Sequence, residues 1–367
     1  MANTCLFFTF SQIPALSGFS LFDVGSHRPY FDESKAAERF DLGLTRSLRP
    51  WTAWVRGLTE EFGERFRVSL AMDGLMLERL AGVSDLLDEL RGLTEQQSLT
   101  WVAMPYFHSL SFLYGRGEFM RQVQMHREKL QQLGLGHPTA FYHPGGIYGN
   151  PMAFLADKMG FSVLITEGAG RRWEGRSSQY LYHPANMSQP RLLMRASMAS
   201  DAWHPHGRGA AGTLPNPREF AQNLIDAPGQ LTTLQLNLGQ LNFSLQADAW
   251  KAVCGDVLKH RGLAFVPLAE LATWACEGGM FEAEDFVSAH APHDLSPWQG
   301  SPLQTESLDK LYWLEGNIQA WQDQDLMRTW SLLQHSDYFL QMSHGDYLNY
   351  MNILADFQLK LGVEAFG

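Results

Sequence analysis

The feature that most constrains this chain is a run of short, nearly continuous apolar segments, each followed by a longer amphipathic stretch. Segments Leu6–Phe10, Arg67–Met72, Thr100–Met104, Thr139–His143, Ser162–Thr166, Arg191–Ala196, Leu234–Leu238 and Ala264–Pro267 read as strands. Between them, Leu75–Leu93, Glu118–Leu133, Met152–Met159, Pro217–Asp226 and Ala247–Arg261 carry helical periodicity. Strands apolar on both faces that alternate with helices predict a parallel sheet covered by helices. Seven or eight such units point to a barrel of TIM type, and no Gly-rich phosphate loop follows any strand, which argues against a nucleotide fold. From Ala289 to Pro302 the pattern is broken by Pro, His, Ser and Gly; Leu303–Leu333 and Asp346–Leu361 then read as long helices without strands. The expected division is a barrel over 1–285 and a helical domain over 286–367.

Composition narrows the partners. With 45% hydrophobic and 18% charged residues the chain can build a large core. No stretch reaches the roughly eighteen apolar residues of a membrane span. The opening segment Met1–Phe10 lacks the basic start of a signal peptide and reads as a buried strand. Cys5, Cys254 and Cys276 are too few and badly spaced for a disulfide framework, so a cytoplasmic protein with reduced thiols is expected. A net charge of −11 without a basic run argues against nucleic acid. Aromatics at 12% suit bulky cores first and sugar faces second.

In α/β barrels chemistry gathers at the C-terminal strand ends. Those ends carry Ser11 and Gln12, then Asp73, Tyr106 and His108, His143 and Gly145, Glu167, Asp201 with Trp203 and His204, and Asn237. Such a polar and aromatic rim can line a sugar cleft; any one of these residues can equally cap a helix or close a loop. His204-Pro205-His206 with Asp201 and His143 supplies ligand types for a cation, but a single His-x-His among 13 histidines is weak, and no metal or other cofactor is expected.

Leu332–Met342 (LLQHSDYFLQM) resembles LQTSDHFYYM, Tyr350–Phe357 (YMNILADF) resembles YMNVLSDF, and Asp294–Gly300 (DLSPWQG) is similar to DLSAWLGN. Tyr106–Leu110 (YFHSL) matches YYHSL, Gly160–Gly168 matches GFxxxxTEG, and Phe22–Gly25 with Tyr30–Asp32 is similar to FDIG…YFD. The matches run in order along almost the whole chain, and through them it resembles the glycoside hydrolase family 57 α-amylases. The resemblance implies an incomplete, TIM-like (β/α)7 barrel followed by a C-terminal helical domain that helps form the cleft. It also implies an α-glucan or other polysaccharide as partner and a retaining mechanism, which needs one carboxylate as nucleophile and a second as acid.

The departures fall at those two positions. Where a motif like NTELIY places the nucleophile after the fourth strand, this chain has His143–Tyr148 (HPGGIY), with Gly145 for Glu. Where MDYETFG places the acid after the seventh, it has Leu236–Asn242 (LNLGQLN), with Asn237 for Asp. HQP is reduced to Gln12-Ile13-Pro14 after Ser11, and Met104 replaces a Glu before YYHSL, while His108, Asp201 and Asp337 are retained. The reading is a glycan-binding member without its catalytic pair. Gln12, Asp73, Tyr106, His108, Tyr148, Asp201, Trp203, His204 and Asp337 are the candidate contacts, and an enzyme of glycan metabolism is a candidate partner. The alternatives are an active enzyme with its carboxylates relocated to Glu167 and Asp201, or a metal-assisted deacetylase around Asp201, His204, His206 and His143.

Overall fold

The computed structural model describes residues 2–168, 175–204 and 214–362. Seven parallel strands form one sheet: β1 (Asn3–Phe10), β2 (Val68–Met72), β3 (Leu99–Ala103), β4 (Ala140–Tyr142), β5 (Val163–Thr166), β6 (Arg191–Met194) and β7 (Leu231–Asn237). Their spatial order is β6-β5-β4-β3-β2-β1-β7, with Phe7 paired to Ser69 on one side and Gln235 on the other. The two ends approach each other, and the Ala196 amide just past β6 donates to the Thr233 carbonyl of β7 at 2.8 Å. The sheet is thus a nearly closed (β/α)7 barrel.

The period of two along each strand explains why both faces are apolar. On β1, Leu6, Phe8 and Phe10 join an outer core with Trp51, Trp54, Leu58 and Trp250 of the covering helices, whereas Cys5 and Phe7 belong to an inner one with Ala71, Val102, Tyr142 and Ile165. Phe7 and Tyr142 lie on strands that are not neighbours, yet their rings meet at 5.2 Å, so the contact crosses the barrel interior. Gln235 of β7 crosses it too, donating to the Tyr142 hydroxyl at 2.8 Å.

Three sequence expectations are corrected. Ala264–Pro267 is not a strand: Phe265 alone bridges Thr4 and Phe66, wedged where β1 and β2 splay at the barrel base. The stretch Leu75–Leu93 is two helices, Gly74–Leu80 and Ser84–Glu95, and Leu303–Leu333 is three, Pro302–Trp313, Glu315–Trp321 and Gln324–Leu333. The last break falls at Gln322, whose left-handed φ of 53° ends one helix before Asp323 caps the next through the amides of Asp325 and Leu326. Helices Glu33–Gly43 and Arg49–Phe62, between β1 and β2, had not been foreseen.

Helix His344–Lys360 packs with Pro302–Trp313 against the barrel flank. Leu308, Trp330, Tyr350 and Phe357 share one hydrophobic core with Phe141 and Leu164 of the barrel. Asp356 ties this helix to the β1–β2 connection, accepting from the Tyr30 hydroxyl and the Gly25 amide at 2.5 Å each. The mouth of the barrel, at the strand C-termini, therefore faces the C-terminal helices. Among the described residues no helix is long and apolar enough to cross a membrane, and Cys5, Cys254 and Cys276 are free thiols.

Candidate functional site

The end of β1 leads into the strap Gln12–Ala15. The Gln12 amide donates to Asp73 Oδ2 at 3.0 Å, while Asp73 Oδ1 caps the helix after β2 by accepting from the Met76 amide at 2.8 Å. Asp73 is fully buried, and burial pushes its carboxyl up to about 7 against the pull of these amides, with the Asp337 charge adding to the rise. Asp73 is thus an internal clasp between strap and helix.

After β3, His108 takes a left-handed φ of 53° and meets the loop before helix His344–Lys360. The Ser336 amide donates to the His108 carbonyl at 2.9 Å; the Ser336 hydroxyl lies 2.9 Å from His108 Nδ1 and donates to Asp337 Oδ1 at 3.2 Å. The His108 and His335 rings are nearly parallel, 4.7 Å between centroids. Burial holds both imidazoles neutral, His335 down to about 3. Crowding opposes ionisation of Asp337, but His335, His108 and Ser336 together keep its carboxyl below the usual range, and the side chain remains 42% exposed. His108, His335 and Asp337 have ligand atoms within 4.8 Å of one another, the ligand types of a cation site. Each Nδ1 has a protein partner, Ser336 Oγ for His108 and the Asp337 amide at 3.3 Å for His335, while His335 Nε2 is buried without one.

Gly145 and Asn237, where the motif resemblance expects the catalytic pair, are each tied into local structure. Gly145, just past β4, has φ +67°, and a Cβ there would stand 2.5 Å from Cη2 and Cζ2 of Trp298. Trp298 lies in the segment Asp294–Gly300, is 1% exposed, and meets His290 edge-on at 5.1 Å. That segment is pinned from two sides: the Pro297 carbonyl accepts from Gln304 Nε2 at 2.7 Å and from the Gln341 amide at 3.0 Å. The indole therefore rests on the glycine backbone in the volume a side chain at 145 would need. At the end of β7, the Asn237 amide donates to His204 Nε2 at 3.0 Å and Asn237 Oδ1 closes a turn by accepting from Gly239 at 2.9 Å.

The surviving carboxylates form a third group. Glu167, fully buried after β5, accepts from Arg195 Nη1 at 2.8 Å, from the Gly168 amide at 2.9 Å and from the Ser197 hydroxyl. The same guanidinium binds Asp201. One arginine thus bridges both acids, and Glu167 has neither a free oxygen nor an opening to solvent. Arg195, His290, His335 and Trp298 had not been read as site residues; the one legible signal was a charged Arg195 ending an apolar strand.

Two expected contacts are corrected. Trp203 is 1% exposed and packs on Trp250 at 4.1 Å in the outer core, because the helix after β6 turns it away from the mouth. Tyr148, also 1% exposed, lies against Phe281 in the core shared with the C-terminal helices. Tyr106 stays at the junction: its ring covers Gly74, and its hydroxyl donates to Glu78 at 2.7 Å. His204 is not disposed to bind a metal, since Nδ1 lies 3.1 Å from the Ser200 carbonyl and Nε2 accepts from Asn237. His206 lies outside the described residues.

Two grooves open between the strap and the C-terminal helices. One, about 280 Å³, is lined by Gln12, Leu75, Glu78, Arg79, Arg328 and Leu332 among others; the second, about 300 Å³, by Lys35, Arg39, Asp337, Leu340 and Asn349, and Ile13-Pro14-Ala15 forms the wall common to both.

Both the sequence and the fold are similar to those of known proteins. The chain is 23% identical over 369 residues to a Methanocaldococcus jannaschii protein whose name assigns it provisionally to the α-amylases, covering 90% of this chain and 78% of that one. Its fold is similar to that of the 4-α-glucanotransferase of Thermococcus litoralis, with a TM-score of 0.72 at 11% identity, over 97% of this chain and 59% of that enzyme's length. The family 57-type branching enzyme of Pyrococcus horikoshii superposes with a TM-score of 0.69 at 13% identity, over 97% and 88% of the two chains. The model of glycosyl hydrolase family 57 matches residues 17–235, more than half of the sequence, and the chain belongs to that family.

Proposed function

We propose that this family 57 member binds an α-glucan without cleaving it. The carrying observation is the seating of Trp298 against Gly145: the position that the motif resemblance assigns to the nucleophile has no carboxylate, and a pinned, buried ring fills the space for one. A retaining mechanism requires a carboxylate at that face of the sugar and a second group that can deliver a proton. Asn237 can do neither job, because an amide carries no dissociable proton at accessible pH. Relocation to Glu167 and Asp201 is disfavoured, since Arg195 engages both, and Ser197 and Gly168 take up the rest of Glu167. The glucan comes from the family and from the glucanotransferase and branching enzyme that share the fold. A cytoplasmic setting, beside an enzyme of glycan metabolism, fits the unpaired buried thiols Cys5 and Cys254.

The test is incubation with maltoheptaose at near-stoichiometric protein, because losing a catalytic carboxylate can cost many orders of magnitude in rate. Mass spectrometry from pH 5 to 8 should return the heptasaccharide unchanged, while calorimetry detects its binding. Shortened or transferred products that disappear in Glu167→Gln would overturn the reading.

A further inference from the structure

The mouth is asymmetric. On the β4 side Trp298 fills it, whereas on the β1–β2 side the strap Ile13–Ala15 stands between two open grooves. The strap is a fixed ridge. Its start is held by the clasp from the Gln12 amide to Asp73; its middle by the Tyr338 hydroxyl, which donates to the Pro14 carbonyl at 2.7 Å; its end by the Asp32 amide, which donates to the Ala15 carbonyl at 2.8 Å.

The groove walls carry paired charge. Arg79 bonds Glu33 at 3.0 Å, and Arg328 grips both oxygens of Glu78 at 3.0 and 2.7 Å. In the second groove Lys35 and Arg39 face a site that also holds Asp337 and Asp346. Neither sign is in excess, which disfavours an anion or a cation as ligand and favours one recognised through hydrogen bonds. Ile13, Pro14, Leu75 and Leu332 add an apolar surface. An apolar floor with a charge-balanced polar rim is the complement of a pyranose, which has C–H faces and outward hydroxyls.

We infer that the ligand site of this chain is the pair of grooves flanking Ile13–Ala15, and that it takes a neutral oligosaccharide laid across the strap and not through the reaction centre. The inference rests on the glycan-binding reading and adds the place. Each groove is at the small end of ligand pockets, so about one or two sugar rings fit in each.

The experiment uses maltoheptaose as probe and hydrogen exchange on the unmodified protein, with calorimetry on three forms. Slowed exchange over residues 12–16, 33–39 and 326–333 is expected. Ile13→Trp, which fills the space beside the strap, should weaken binding at least tenfold, while Met198→Ala, on an exposed site elsewhere, should leave it unchanged. An unaltered urea midpoint for Ile13→Trp shows that the fold survives, and the exchange pattern does not depend on that variant. Binding with protection confined to residues near Arg195 and His290, or indifferent to Ile13→Trp, would sink the groove assignment and spare the glycan reading. No binding at millimolar maltoheptaose would overturn both.

Discussion

Gly145→Ala probes the seat of Trp298 with a single carbon. The new Cβ would lie 2.5 Å from two indole carbons, about 1 Å inside the ordinary contact distance. Overpacking of that size costs about 1–3 kcal/mol. The left-handed backbone, at φ +67°, adds about 1 kcal/mol for any residue with a Cβ. The substitution should therefore destabilise by about 2–4 kcal/mol. Relief by ring movement is limited, because Gln304 and Gln341 hold Pro297, one residue away. In a Trp298→Leu background the overlap vanishes and only the backbone cost of about 1 kcal/mol should remain. A double-mutant cycle by urea denaturation, followed by far-ultraviolet circular dichroism, measures the difference. Coupling of about 1–3 kcal/mol is expected. If Gly145→Ala costs the same in both backgrounds to within about 0.5 kcal/mol, the ring does not own that space and the argument for a closed reaction centre collapses.

Arg195→Met should cost about 3–5 kcal/mol, because Glu167 would remain buried without its cation, and adding Glu167→Gln should recover much of the loss in the same urea assay. Asp201→Asn should cost less than about 1 kcal/mol, since that side chain is 42% exposed. Stability should fall on acidification. Burial pushes His126 and His143 down to about 4 and His335 to about 3, below the unfolded value near 6.5, so the unfolded chain takes up protons first as pH drops from 6.5 towards 4. Asp73 acts in the opposite sense: raised to about 7, it contributes stability that is present below pH 4 and lost as pH rises through 7. Three groups against one predict a urea midpoint that drops between pH 6.5 and 4, and His126→Gln should flatten that slope; a midpoint that rises on acidification would contradict the assignment.

The barrel was legible because its signal is periodic. Seven of the eight expected strands appear within a few residues of their predicted bounds, since strands buried on both faces must be apolar throughout. The eighth, Ala264–Pro267, has the same composition but reaches the sheet through Phe265 alone; whether an apolar run finds room between two strands is a property of the closed barrel. Helices Glu33–Gly43 and Arg49–Phe62 lie in the long connection between β1 and β2, where the sequence was read for strands alone.

Within the site, chemical identity and spatial role came apart. That residues 145 and 237 lack carboxylates is written in the sequence, because no environment turns glycine or asparagine into a general acid. Trp203 and Tyr148 carried the right chemistry for a sugar platform, but which way a ring faces depends on the turn after its strand, and both ended in the core. Trp298 and His335 come from the C-terminal part of the chain and acquire their roles only where it meets the barrel mouth, whereas Arg195 acquires its role where the ends of β5 and β6 meet. The sequence alone thus determined the family, the strand–helix alternation and the absence of carboxylates at positions 145 and 237, all local properties of residue type and order. Only the tertiary structure decided what packs on Gly145, which carboxylates are paired with a cation and where a groove stays open, because packing and charge pairing are settled by residues that meet across the fold.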